Sequence, residues 1–408
     1  MPAPARSALA DLGDPAFWAL PRDRRLIAFA RLRSLDAPVR FGPPPGWWAL
    51  VRHADVREAS RSPREFASAP GVTVPEPAPW AKALFGNSMV NMDGADHAAL
   101  RRIVSRAFTP RLLAATEESV RERADRIVAE AVREGPGDFV SAVASRMAFG
   151  VICDLMGIPE PYREGIARRV DGASEHVGVA RRGLRIPGSG LRALARLQWL
   201  MGRLARERRR RPTDDLISAL VTADVDGDAL TSRQLGAFFS LLLVAGVETT
   251  RNALAHGLDL LTRHPEQRAL LESDPGRYAD GAVEEIVRHS TPIIQFRRTV
   301  VSERTLGGRV FHPGEKVVLL YASANRDERV FDDPDAFDIT RDPNPHLGYG
   351  GGGPHHCLGV HLARQEMKAL FSALLTRAPG IRAAGAARLV DSRFDNRVGA
   401  LPFDLGTG

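Results

Sequence analysis

The sequence has little of what marks a secreted or membrane-spanning protein. It contains only two cysteines, Cys153 and Cys357, which cannot form a disulfide framework, so a reducing, cytoplasmic location is expected. The longest apolar run, residues 238–246, is too short to cross a bilayer. The N-terminal residues lack the hydrophobic core of a signal peptide. We therefore expect no membrane span.

Lysine is nearly absent, because only Lys82, Lys316 and Lys368 carry an ammonium group and the net charge of +7 comes from arginine. The densest basic cluster, residues 206–211, lies at a predicted helix end, where cations complement the helix dipole. No aromatic residues interleave with this cluster as in a protein that binds single strands. Nucleic acid is therefore not an expected partner.

Hydrophobic periodicity predicts a mainly α protein with small β-sheets. Residues 1–22, rich in Pro and Ala, are predicted to be an irregular lead-in to a single domain over residues 23–408. Helices are predicted at 24–35, 55–61, 96–107, 111–134, 138–156, 159–172, 190–210, 213–223, 265–273, 277–289 and 358–375. Strands are predicted at 39–41, 47–51, within 295–320 and in the last 30 residues, and long loops at 62–92 and 172–190.

The longest periodic stretch opens with a capping box, Thr231 to Gln234, and continues to about residue 263. Such a helix would span roughly 48 Å, and its middle, residues 241–246, is apolar on all sides and so predicted to be buried. Glu248 and Thr249 follow directly, although burying an acid and an alcohol is costly without partners. Thr249 could bond to the carbonyl of Ala245, and Gly246 could let a ligand approach the backbone. This pair could pass protons to bound dioxygen, or form a solvated helix kink.

Cys357 lies between a glycine-rich loop, residues 348–353, and a predicted helix. A thiol at a helix N-terminus meets free N–H groups and the positive dipole end, which favour the thiolate. Glycines at 350–353 would let the backbone approach something large and flat, which together suggests a heme iron with a cysteine ligand. Gly348, Gly350 and Gly353 also match a dinucleotide-binding fingerprint, but no βαβ unit surrounds them.

Two other interpretations of the cysteine need weighing. Zinc could be bound by Cys357 together with His355, His356 and His361, but a second ligand pair elsewhere in the chain is missing. A buried cysteine that merely caps a helix would be a common outcome. Elsewhere, Glu285 with Arg288 and His97 with Arg101 are weak signals when taken alone.

Taken in order, the motifs are informative. His-x-x-x-Arg, Ala-Gly-x-Glu-Thr-Thr, Glu-x-x-Arg, Phe-Asp-x-x-Arg and the glycine-rich cysteine loop together resemble the bacterial cytochrome P450 superfamily, from about residue 24 to the C-terminus. The resemblance implies a triangular fold whose long central helix crosses heme b, with Cys357 as the axial iron ligand. It implies propionate contacts from His97, Arg101, Arg298 and His355, and further heme contacts from Ala245, Gly246, Tyr349, Gly350 and Gly359. It also implies catalytic roles for Glu248 and Thr249 and a structural triad of Glu285, Arg288 and Arg341.

The chain departs from the family pattern near the cysteine. Tyr349 lies eight residues before Cys357 instead of seven, so the loop carries one extra glycine, and His356 replaces the usual aromatic or apolar residue. With Asn91-Met-Asp93 and Glu-Thr-Thr-Arg251-Asn, the longer loop resembles the branch of sterol and isoprenoid-lipid hydroxylases. Family positions imply a substrate pocket lined by Val90, Leu242, Ala245, Ile293, Ile294 and Val398.

The resemblance implies a monomeric monooxygenase that inserts one atom of dioxygen into a sterol, terpenoid or polyketide-type molecule. Electrons would come from NAD(P)H through a separate ferredoxin reductase and ferredoxin, which would dock on the cysteine side near Arg102, Arg106 and Arg364. Aromatic coupling, ring formation or dehydration on the same heme is the alternative activity. A heme-binding sensor without catalysis is a further one.

Overall fold

The architecture is known from a computed structural model, which describes residues 11–69, 71–74, 76, 88–108, 110–167, 188–222, 230 and 232–406. The helices are α1 (Pro15–Trp18), α2 (Arg22–Arg33), α3 (His53–Arg61), α4 (Gly94–Ala107), α5 (Pro110–Glu134), α6 (Ser145–Leu155), α7 (Gly188–Arg210), α8 (Leu216–Thr222), α9 (Ser232–Arg263), α10 (Pro265–Ser273), α11 (Pro275–Ser290), α12 (Tyr321–Ala324) and α13 (Val360–Arg377). Residues 160–167 are also helical. Among the described residues, no helix is long and apolar enough to cross a membrane.

The strands are β1 (Val39–Phe41), β2 (Trp47–Leu50), β3 (Phe66–Ala67), β4 (Gly137–Asp138), β5 (Gln295–Val300), β6 (Arg304–Leu306), β7 (Arg309–Phe311), β8 (Lys316–Leu320), β9 (Arg382–Ala383), β10 (Arg388–Leu389), β11 (Val398–Ala400) and β12 (Pro402–Asp404). The largest sheet has the order β1-β2-β8-β5-β3, with β2 and β8 parallel and the other pairs antiparallel. The smaller sheets are β4-β12-β9, β10-β11 and β6-β7.

Both faces of the five-stranded sheet are buried, as strand β8 illustrates. Side chains alternate along a strand, so Val317 and Leu319 join one apolar cluster while Val318 and Leu320 join another on the opposite face. The second cluster includes Leu12, Phe17 and Trp18. Within the expected irregular lead-in, helix α1 forms a single turn of helix, and its aromatic side chains complete the core beneath the sheet.

Helix α9 is the centre of the larger, helical core. It extends over 32 residues, as predicted, and contacts α6, α7, α11 and α13. Its apolar side chains, such as Phe239, Leu243 and Leu254, are buried in this core. The capping residue Thr231 and the predicted loop over residues 172–187 lie outside the described residues. The central helix is thus fixed on several sides by other helices.

The remaining helices and strands begin and end within a few residues of the predicted positions. The helix predicted at 138–156 is not α-helical at its start. Residues Val140–Ala144 form a π-helical turn before α6. Asp138 lies in strand β4, and its carboxylate accepts hydrogen bonds from the N–H groups of Val140, Ser141 and Leu401. The wider turn thus begins where the chain leaves a strand.

Two helical glycines allow a matched test of the packing. A Cβ at Gly281 in α11 would collide with the carbonyl oxygen of Ile339, whereas one at Gly202 in α7 would meet no atom within 4 Å. We expect Gly281→Ala to lower the free energy of unfolding by about 2 kcal/mol through overpacking. Gly202→Ala should raise it by about 0.5–1 kcal/mol through the higher helix propensity of alanine. Denaturant unfolding followed by circular dichroism measures both, and equal effects of the two substitutions would contradict the close approach of Gly281 to Ile339 as the cause.

Candidate functional site

Cys357 ends the glycine-rich loop and lies three residues before helix α13. Its N–H donates to the carbonyl of Tyr349 at 2.9 Å, which closes the loop. Burial raises the pKa of the Cys357 thiol, while the N–H of Gly359 and the guanidinium groups of Arg101 and Arg364 lower it. The Gly359 N–H at the start of the helix thus favours the thiolate, as expected, and burial opposes it. An iron ion would supply the missing positive charge.

The glycines of the loop lie against helix α3. A Cβ at Gly353 would come within 2.6 Å of the carbonyl oxygen of Ser60, and one at Gly351 within 2.5 Å of the Ser60 hydroxyl. Gly350, Gly352 and Gly353 have positive φ angles, which glycine adopts without strain. The large neighbour expected from sequence therefore includes this helix, whose backbone the loop approaches closely.

His97 and His355 form the next part of the site. Their rings lie 4.3 Å apart, and Nε2 of His355 is 3.0 Å from the Ser68 hydroxyl and 3.5 Å from a carboxylate oxygen of Asp93. Burial, with the neighbouring His355 and Arg101, lowers the pKa of His97 to about 4. His97 is therefore neutral near pH 7, and its buried Nε2 has no hydrogen-bond partner among the described residues. Sequence reasoning did not assign roles to Ser68 and Asp93.

Arg101 and Arg298 bring two cations to the same region. Arg101 donates to the carbonyl of His356 at 2.7 Å, and its charge acts on Cys357. Arg298 is 4% exposed and donates to the carbonyl of Arg297 at 2.9 Å. Burial lowers the pKa of Arg298, while Tyr321 and Asp93 oppose that shift. No carboxylate of the described residues forms an ion pair with Arg298.

These residues fit a heme. Arg298 is a buried guanidinium without an ion-pair partner among the described residues, and His97 has an imidazole nitrogen without a hydrogen-bond partner there. Both groups suit the binding of propionates. The free Cys357 sulfur suits an axial iron ligand, and the space beside Gly359, where a Cβ would meet nothing within 4 Å, suits a flat ring. No group of three His, Cys, Asp or Glu that could hold a metal ion by itself occurs among the described residues.

Glu285, Arg288 and Arg341 converge in the protein interior. Arg288 donates from Nε and Nη2 to the two Glu285 oxygens, both at 2.7 Å, and both side chains are fully buried. Arg341 Nε lies 3.5 Å from Glu285 Oε2. The remaining Arg288 donors reach three carbonyls of the segment after β8, those of Asn325, Pro334 and Ala336. Glu285 and Arg288, whose spacing alone is typical of an exposed surface pair, thus form a buried ion pair.

An ion-pair cluster that sequence reasoning missed ties helix α13 to α11. Arg364 donates to both oxygens of Glu284, at 2.7 and 2.8 Å, and His346 Nε2 lies 3.1 Å from Glu284 Oε2. These partners lower the pKa of Glu284 to about 2 against an opposing effect of burial. Glu284 thus offsets the charge of Arg364, one of the three arginines expected near the docking face. In the sequence, the motif that begins at the adjacent Glu285 was the nearest indication of a functional role for Glu284.

Helix α9 presents two different faces at its middle. Residues 241–246, which were predicted to be buried, include the exposed Ala245 and the half-buried Leu241, Leu242 and Gly246. Thr249 is also half-buried, and its hydroxyl donates to the Ala245 carbonyl at 2.6 Å, as predicted. Glu248 is 5% exposed and is held by Arg251 at 2.6 Å and by Arg397 at 3.5 Å, both to Oε2. The alcohol thus lies on the accessible face and the acid in a buried ion-pair network, without a solvated kink.

Three of the residues expected at the heme or the substrate pocket also pack against the protein interior. A Cβ at Gly246 would lie 2.7 Å from Cδ1 of Ile152, so this glycine allows α9 to pack on α6. Ile294 and Val398 are 1% and 0% exposed and belong to the apolar core. Val90, Leu242 and Ile293 are half-buried and Ala245 is exposed, so these four remain candidates for pocket lining.

Comparisons with known proteins agree with this geometry. The family model for Cytochrome P450 matches residues 277–377. The chain is 42% identical to a methyl-branched lipid omega-hydroxylase of Mycobacterium tuberculosis, over 96% of this chain and 94% of that protein. It is 36% identical to a steroid C26-monooxygenase of Rhodococcus jostii, over 93% of this chain and 81% of that protein. A Mycobacterium marinum cytochrome P450 in complex with pseudoionone superimposes with a TM-score of 0.89 at 39% identity, over 97% and 98% of the two chains.

The environment of Cys357 predicts a spectroscopic signature. We expect the reduced, carbon-monoxide-bound protein to show the red-shifted Soret band of thiolate ligation. Cys357→Ser should lose that band because a hydroxyl is not a thiolate, whereas the buried Cys153→Ser should retain it. An unshifted band in folded, heme-loaded protein would contradict ligation by Cys357.

Proposed function

Because the chain belongs to the cytochrome P450 family and is a monooxygenase, we propose that it hydroxylates lipids that end in a methyl-branched alkyl group, at a terminal carbon of that end. The observation that carries this proposal is the identity of 42% to the methyl-branched lipid omega-hydroxylase over nearly the whole chain. The similarity to steroid C26-monooxygenases supports it, because in steroid numbering carbon 26 is a terminal methyl of the branched side chain.

The accessible residues of the proposed pocket suit such a substrate. Val90, Leu242, Ala245 and Ile293 offer only apolar side chains and are not completely buried. A branched alkyl end that leaves water and contacts these residues would gain about 25 cal/mol of binding free energy per Å² of apolar surface buried. The proposal therefore predicts recognition of the branched end by shape and apolar contact, with little demand on polar groups.

The heme, when bound through Cys357, supplies the redox chemistry by which one atom of dioxygen enters the substrate and the other leaves as water. The reaction consumes the substrate C–H bond, dioxygen, two electrons and two protons, and gives an alcohol and water. His97, Arg101, Arg298 and His355 would bind the propionates. Since the Thr249 hydrogen is committed to the Ala245 carbonyl, the lone pairs of its oxygen can accept a hydrogen bond from the cavity. Glu248 would supply protons from the interior.

The electrons would come from NAD(P)H through a separate ferredoxin reductase and ferredoxin. Arg102 and Arg106 are exposed on helix α4, the helix from which Arg101 contacts the cysteine loop. Positive side chains near the cysteine would steer an acidic protein toward this face. Arg364 would contribute less to this attraction, because its charge is offset by Glu284.

The substrate proposal is tested by displacement of iron-bound water. We expect methyl-branched fatty acids and steroids with a branched side chain to shift the Soret band, and product analysis to locate the new hydroxyl at the branched end. Straight-chain fatty acids of equal carbon number serve as matched controls. They carry about the same apolar surface without the branched shape, so weaker binding of these acids is expected if the pocket recognises the branch by its shape. Binding confined to amino acids or small peptides would refute the proposal.

Thr249→Ala tests the role of the alcohol. We expect heme content and substrate affinity to be retained, while the fraction of electrons recovered as hydroxylated product falls on the order of tenfold and hydrogen peroxide accounts for the rest. Thr262 is the matched control, because it lies in the same helix and makes the same bond, to the carbonyl of Leu258 at 2.7 Å. Unchanged coupling in Thr249→Ala, or an equal loss in Thr262→Ala, would remove Thr249 from the mechanism.

A further inference from the structure

The C-terminal segment before β11 reaches into the buried network around Glu248. Arg397 donates from Nε and Nη2 to Asp395 Oδ2, at 3.2 and 3.0 Å, and its Nε lies 3.5 Å from Glu248 Oε2. Arg251, one helical turn from Glu248, approaches the same oxygen at 2.6 Å. The four residues are 4–8% exposed. Two carboxylates and two guanidinium groups therefore share one nearly dry site.

Among the described residues of this network two negative and two positive groups face one another, so removing one member leaves a buried charge with less compensation. The cations are also arranged asymmetrically, because both contact the same oxygen of Glu248, Oε2. Glu248 Oε1 is buried and has no hydrogen-bond partner among the described residues, and Asp395 Oδ1 shares this property. Both cations thus hold one Glu248 oxygen, while the other has no partner among the described residues.

The same segment also borders the proposed substrate pocket. Asp395 pairs through its backbone with Ile293 in an isolated antiparallel bridge, and the N–H of Val398 donates to the Asn252 side chain on α9 at 3.2 Å. His256, one turn further along α9, binds the carbonyl of Asn396 at 2.9 Å. The segment that holds Glu248 is therefore attached both to the chain at Ile293 and to the central helix.

We propose that Arg397, oriented by Asp395, is a positioning residue that holds the Glu248 carboxylate with Oε1 free for proton delivery. This inference rests on the proposed role of Glu248. Arg251 lies on the same helix as Glu248 and cannot alone set the direction of the side chain relative to the pocket. Arg397 supplies the second contact from another part of the chain, and Asp395 prevents it from turning away.

The electrostatics give opposite expectations for two variants. Among the described residues, the charged groups that face Glu248 are Arg251 on its own helix and Arg397 with Asp395 on the C-terminal segment. Helix α6 presents apolar side chains such as Ile152 to this stretch of α9. Removing the cation in Arg397→Gln favours the protonated carboxyl, and removing the anion in Asp395→Asn favours the carboxylate. A loss of structure alone would not move the two variants in opposite directions.

The first test is infrared difference spectroscopy of the substrate-bound holoenzyme over a pH series, with the protonated-carboxyl band of Glu248 assigned through its loss in Glu248→Gln. We expect this band to persist to higher pH in Arg397→Gln and to disappear at lower pH in Asp395→Asn. If Arg397→Gln does not bind heme, the Asp395→Asn result decides alone. A band that stays in place, or moves in the same direction in both variants, overturns the proposal.

The second test is coupling in the reconstituted reaction. We expect Arg397→Gln to reduce product per electron severalfold and to enlarge the solvent isotope effect, with an unchanged substrate-induced Soret shift, and Arg397→Lys to restore most of the coupling. Arg382→Gln is the matched control, because Arg382 pairs with Asp404 at 3.0 Å in an exposed position. Normal coupling in Arg397→Gln overturns the inference. Normal coupling in Glu248→Gln instead refutes the proposed role of Glu248 itself.

Discussion

The buried carboxylate of Glu285 is the interaction on which the arrangement around Cys357 depends. It accepts two hydrogen bonds from Arg288, one from the N–H of Asp338 and one from the amide of Asn344. Removing one partner of such a buried pair costs about 3–5 kcal/mol, because the other charge is left without compensation. Since Asn344 lies close before the cysteine loop and Arg288 grips the segment before it, this one charge determines where the loop begins.

The central helix separates two tasks that its sequence places side by side. Glu248 and Thr249 are neighbours in the chain, but successive positions on a helix point about 100° apart. The alcohol therefore faces the accessible side with Ala245, while the acid enters a buried network with Arg251 and Arg397. A buried acid needs cations to remain charged, and a residue that meets substrate needs space. The helix meets both requirements without a break in its hydrogen bonding.

The positions of helices and strands could be predicted because hydrophobic periodicity and turn residues are local properties. The fold and family followed from motifs in a particular order, since Glu285, Arg288 and Cys357 each carry little information alone. Partners far apart in sequence could not be predicted, as the pairing of Arg364 with Glu284 and of Arg397 with Glu248 shows. Burial was equally inaccessible for Ile294 and Val398, because an apolar side chain suits a core and a pocket alike. The effect of burial on Cys357 was also inaccessible: it raises the pKa of the thiol, whereas the helix terminus alone suggested a lowered pKa.

The contact between the glycine-rich loop and helix α3 explains how the chain accommodates its extra glycine. The bond from the Cys357 N–H to the Tyr349 carbonyl closes the loop at its base, while Gly351 and Gly353 meet Ser60 at its outer side. Helix α3 is itself attached at its first residue, where the His53 N–H donates to Asp327 and Nε2 lies 2.8 Å from the Pro345 carbonyl. The glycines of the lengthened loop therefore pack directly against this helix. A side chain at Gly351 or Gly353 would push the loop away from Ser60, so helix α3 limits which residues the outer turn can contain.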